Sequence, residues 1–92
     1  GLDAAGAATL IEDAKAAAND ASDLFQFTVR INKHFEQPHK IMLLELLWQI
    51  VLSDGVVDDF EANLLRRVAG LIHITDQQAG QARKNAQSQL TS

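Results

Sequence analysis

Apolar residues recur along this chain at spacings of three and four, the period of helices with one buried face. Asp3 is placed to cap a first helix through about Ala18, Ala-rich, with Leu10, Ile11 and Ala14 as its stripe. After Asn19-Asp20, either Asp20 or Ser22 caps a second helix to about Phe35, striped by Leu24, Phe27, Ile31 and Phe35 with Thr28 between them. A turn at Glu36-Gln37-Pro38 leads into a third helix near 38–53, with Pro38 at the first helical position. Only Lys40, Glu45 and Gln49 break its apolar run, a pattern that predicts a helix enclosed by others. Gly55 ends it, and Asp58 with Glu61 reads as a D-x-x-E capping box. The fourth helix, about 58–71, is expected to bury Phe60, Leu64, Leu65, Val68 and Ile72 and to show Arg66 and Arg67 outward. Thr75 and Gln78 repeat the box before a fifth, about 75–90, striped by Ala79, Ala82, Ala86 and Leu90. That weak stripe predicts the least stable element, with a fraying tail. Pro and Gly are scarce and β-branched runs short, so the expected fold class is all-α, a compact bundle of about five helices around a central buried helix near 38–53.

Composition narrows the function classes. Ninety-two residues make one domain at most, and 47% hydrophobic with 22% charged residues is globular. A net charge of −4 argues against a nucleic-acid partner, which requires a clustered basic face. The absence of cysteine excludes disulfides and thiolate metal sites. The apolar run at 41–52 is too short for a membrane span of about 20 residues and contains Glu45 and Gln49, so no membrane insertion is expected. No basic segment precedes an apolar stretch at the start, so no signal peptide is expected and the simplest expectation is a soluble, intracellular protein.

Leu2-Asp3 before an Ala-rich helix parallels Ile74-Thr75 before Ala79 and Ala86. Read as a repeat, the chain holds one whole unit of buried helix, Asp-Gly turn, helix and helix, plus only the last helix of an earlier unit. On that reading 1–92 is a single helical domain lacking its N-terminal helices. The face left uncovered, either part of the 38–53 helix or the Phe25/Phe27 surface, then predicts a homodimer, with helix exchange as one route to it.

The chemistry concentrates between the third and fourth helices. Asp54, Asp58, Asp59 and Glu61 place four carboxylates within eight residues. Asp54-Gly55 with Val57 and Glu61 matches the second half of an EF-hand loop, but Ile50 and Leu52 stand where its leading ligands belong. That excludes an EF-hand and leaves a hard-cation site of carboxylate oxygens, with calcium, magnesium or zinc as candidate ions. The competing reading is structural: Asp58 and Glu61 cap, Gly55 terminates, and Asp59 favours the helix dipole. Asp54 resists that account, because a negative charge at a helix C-terminus is unfavourable. His34, His39 and His73 fall on separate elements with no i, i+4 pair, and no nucleophile or phosphate-loop motif is present. Glu45 within the apolar helix is a candidate base, although one isolated acid without a partner is more often snorkelling or hydrogen-bonded.

The string LLELLWQIVLSDGVVDDFEANLLRRVAGLIHI, Leu43 to Ile74, closely resembles the TerB-like family of bacterial tellurite-resistance proteins. The likeness rests on the Leu-rich helix ending in Trp48, the Asp54-Gly55 pair, Glu61 and the Leu-Leu-Arg-Arg run at 64–67, and extends more loosely over almost the whole chain as the later part of that domain. It implies an all-helical fold of two similar halves, each with an Asp-Gly-x5-Glu turn, the turns together forming a divalent-metal or regulatory surface. Asp54 and Glu61 match that motif, with Asp58 their companion. It also implies a cytoplasmic, non-enzymatic protein linked to stress-response and membrane-associated complexes; a related domain is attached to a J-domain co-chaperone. Two departures stand out: Ser53 replaces the usual Ala, and the first Asp-Gly turn is missing.

The leading expectation is therefore a non-catalytic TerB-like module that binds or senses a divalent cation through Asp54, Asp58 and Glu61 and meets protein partners. The alternative is a structural adaptor whose acidic turn only caps helices. A hydrolase using Glu45 or Glu61 is the third.

Overall fold

The computed structural model describes residues 4–53 and 58–91. Five helices follow one another: α1 (Ala4–Ala17), α2 (Ala21–His34), α3 (Gln37–Leu52), α4 (Asp59–Leu71) and α5 (Asp76–Thr91). No strand occurs among the described residues. Asp3, expected to cap α1, lies outside them. α3 is the axis, in contact with α1, α4 and most extensively α5, while α2 packs on α1 and α4. Leu43, Leu44, Leu47, Trp48 and Val51 of α3 are buried, joined by Ile11 and Ala14 of α1, Leu24, Phe27 and Ile31 of α2, and Leu65 and Val68 of α4.

Local chemistry sets the helix ends. Asp20, not Ser22, caps α2, its Oδ1 accepting from the N–H of Ser22 at 2.7 Å and of Asp23 at 3.3 Å. Thr28 is tolerated in the buried stripe because its hydroxyl donates to the Phe25 carbonyl at 2.8 Å. Gln37 is the first residue of α3 and Pro38 the second, still within the turn where a missing N–H costs nothing. The Thr75–Gln78 box is complete: each backbone N–H donates to the other's side chain at 3.1 Å.

Four expectations change. Phe60 is 53% exposed. The buried stripe of α4 runs through Leu65, Val68 and Ile72, and one turn back it reaches Glu61 rather than Phe60. α3 is not enclosed all round: Met42 is 49% exposed, with Leu46 and Ile50 half-buried beside Glu45 and Gln49. Lys40, read as polar interruption, is buried instead. On α5 the weak stripe works by size, because Ala82 and Ala86 are buried and let its backbone come close to α3, whereas Leu90 is exposed.

The α4 C-terminus closes in a Schellman motif. The Ile74 N–H donates to the Ala69 carbonyl at 2.9 Å and the His73 N–H to that of Gly70 at 3.3 Å. His73 holds the left-handed position, φ 66°, where glycine is usual. Side-chain amides from the α2–α3 corner satisfy two remaining carbonyls: Asn32 donates to Leu71 at 3.0 Å and Gln37 to His73 at 3.1 Å. Left-handed strain of about 1–2 kcal/mol exceeds the roughly 0.5–1 kcal/mol entropic cost of glycine. His73→Gly is therefore expected to add roughly 0.5–1 kcal/mol, seen as a higher urea midpoint at unchanged m-value. A lower midpoint would show that the imidazole contributes more than the strain removes.

Candidate functional site

The acidic turn joins α3 to α4, and the structure describes its second half. Asp54 and Gly55, the first two positions of the expected motif, lie outside the described residues. Asp58 is the N-cap of α4, extended at φ −74° and ψ 125°. Its Oδ1 accepts from the N–H of Phe60 at 2.8 Å and of Glu61 at 3.4 Å. Asp59 is exposed in the first turn, where the helix dipole favours a negative charge.

Glu61 departs from the capping-box expectation. Rather than completing the box, it directs its carboxylate across to α1, where the Lys15 ammonium donates to Oε2 at 3.1 Å. Glu12 Oε1 stands 3.6 Å from the same nitrogen, one turn away on α1. The Glu61 side chain is only 18% exposed and that of Lys15 33%. Glu61, the one acid of the turn's described half that is not exposed, thus already holds a positive charge, supplied by another helix.

That pair responds to pH on the alkaline side. The hydrogen bond that Lys15 donates to Glu61 holds its ammonium above the ordinary 10.5, outweighing partial burial, which acts downward; the charges of Glu61 and Glu12 add to the rise. A cation raised in the folded state contributes stability that is fully present below the unfolded value and fades as pH climbs through the folded one. Unfolding midpoints measured above pH 10.5 should therefore fall more steeply for the wild type than for Lys15→Met. Parallel alkaline limbs would count against a folded-state pair.

Lys15 is the functional neighbour that sequence reasoning missed. Its signal is its register, four residues after buried Ile11, which turns the lysine toward the packed side of α1 where a carboxylate must answer it. Arg83 was also missed: its guanidinium lies 4.7 Å over the Trp48 ring, at a cleft of about 360 Å³ that Arg66 and Asp76 help to line. Glu45 is half-buried on the open flank of α3 and lines neither this cleft nor the one between α2 and α4. His34, His39 and His73 are exposed on separate segments. Among the described residues, no three histidines, aspartates or glutamates converge to hold a metal. No described helix is long and apolar enough to cross a membrane.

As a donor set, Asp58 and Glu61 offer hard oxygens from one helical turn, which suits calcium or magnesium better than zinc. Two carboxylates leave such an ion short of ligands, so Asp54 and water would have to complete its shell. Compared with known families, the chain matches the sequence model described as "Tellurite resistance protein TerB" over residues 1–84. No curated protein and no solved structure matches it.

Proposed function

Because the chain belongs to the TerB family, we propose that it is a non-catalytic helical module that binds or senses a divalent cation and presents a helical surface to protein partners. Asp54, Asp58 and Glu61 are the proposed ligands, with calcium, magnesium and zinc the ions to test. The setting is a bacterial stress response of the tellurite-resistance kind, in the cytoplasm. One observation supports the cation reading above others: Glu61 sits half-buried and already holds a cationic group, the Lys15 ammonium at 3.1 Å. A divalent ion shared by two or three carboxylates carries twice the charge of the ammonium, and on this reading it displaces the lysine. Lys15 is thus the resident competitor.

The test is calorimetric titration of calcium, magnesium and zinc into wild type, Asp54→Asn, Glu61→Gln and Lys15→Met. Glu61→Gln and Asp54→Asn are expected to lose binding. Lys15→Met should tighten it about tenfold, the effect of removing roughly 1.4 kcal/mol of competition. Silence up to millimolar ion in both wild type and Lys15→Met would favour the alternative, a structural adaptor in which Asp58 only caps and Glu61 only ties α4 to α1. That second reading has its own support in the two N–H bonds made by Asp58.

A further inference from the structure

The solvent side of α4 carries opposite charge at its two ends. Asp58 and Asp59 stand at the start, immediately before exposed Phe60; Arg66 and Arg67 stand near the far end, beside Gly70 and Leu71. At about 100° per residue, Asp59, Phe60, Asn63, Arg67 and Gly70 share one arc of the helix. Among the described residues neither arginine is within ion-pair distance of a carboxylate. Between the end of α4 and α2 lies an open cleft of about 460 Å³, with Leu24, Phe25, Arg67 and Leu71 around Gly70. A Cβ at Gly70 would meet nothing within 4 Å, so the floor is vacant, and Phe25 at its edge is 54% exposed.

An exposed aromatic beside two aspartates and an apolar cleft beside two arginines are complementary, but within one copy they lie at opposite ends of the same helix. A parallel pairing of two copies would set Asp against Asp and Arg against Arg. An antiparallel pairing brings each acidic end to a basic end, and its two-fold symmetry makes every contact twice and closes the assembly. It also opposes the two helix dipoles. We propose that the exposed face of α4 is the interface of an antiparallel homodimer, in which Phe60 of each copy enters the other's cleft beside Gly70 and Asp59 meets Arg67. This deepens the interaction half of the reading above and rests on it, not on the cation. It also gives the self-association expected from the sequence a location: Phe25 lies at the interface, whereas Phe27 is buried in the core.

Sedimentation velocity in chelator, between about 10 and 500 µM, a range suited to a small interface, tests it without involving the ion. The wild type is expected to show a reversible dimer, and Phe60→Ser to weaken it about tenfold or more, as loss of a central aromatic anchor does. Asp59→Arg and Arg67→Asp place like charges opposite each other and should each be monomeric. An equimolar mixture of those two restores both pairs and should dimerise. A wild-type monomer throughout, a Phe60→Ser dimer of unchanged strength, or a mixture no more associated than its parts would each overturn the proposal. If thermal melts show that a charge variant does not fold, the Phe60→Ser comparison decides. A dimer in chelator from a chain that binds no ion leaves this interface standing and removes only the cation reading.

Discussion

Leu44→Ala is expected to remove about 2–5 kcal/mol of folding stability, a large part of the roughly 5–15 kcal/mol available to a domain of this kind. Leu44 is fully buried on the axis helix, and α3 packs against α1, α4 and α5 at once. A cavity there cannot be filled by moving one neighbour, because each is held by the others as well. Chemical denaturation should show the lower midpoint directly. Met42→Ala on the open flank of the same helix is the control, expected to change stability by less than about 0.5 kcal/mol. Equal losses at the two positions would mean that the flank is covered and α3 enclosed on every side.

Ala86→Leu has the second largest expected effect, a loss of about 1–3 kcal/mol by overpacking. Ala86 is fully buried where α5 lies along α3, and three extra carbons there must push the helices apart. The displacement should reach the Arg83 guanidinium over Trp48 and the hydrogen bond from Gln49 to Gln89, both of which span the same two helices. Trp48 is the only tryptophan, so its fluorescence reports that change without a label. A stabilised Ala86→Leu with an unchanged spectrum would mean that the stripe is loosely seated.

Those two positions illustrate what could be read from the chain. Leu44 was legible because a run of large apolar residues at helical length has no stable place except a core. Ala86 was legible as part of a stripe but not in its weight, since alanine periodicity carries little hydrophobic signal while permitting close approach of two backbones. Phe60 misled because it stands one turn before Leu64, at the edge rather than the centre of the buried arc. The Thr75–Gln78 box could be read from spacing alone, since a capping box is a local interaction. Glu61 could be found but its partner could not: Lys15 reaches it from a helix distant in sequence, and only the packing of α1 on α4 brings them together. The same holds for Asn32 and Gln37, whose amides cap the end of α4 from elsewhere in the chain.

The proposed cation site exchanges the Lys15 ammonium on Glu61, at the start of α4, for a divalent ion. The most direct measurement follows the Lys15 side-chain methylene signals by NMR while calcium, then magnesium, then zinc is added to the intact chain. Displacement from Glu61 predicts that Lys15 moves toward the shift of a free lysine as the backbone signals of Asp58 and Glu61 move with it, saturating together. Lys15 signals that stay fixed to millimolar ion, with Asp58 and Glu61 equally still, would contradict that exchange.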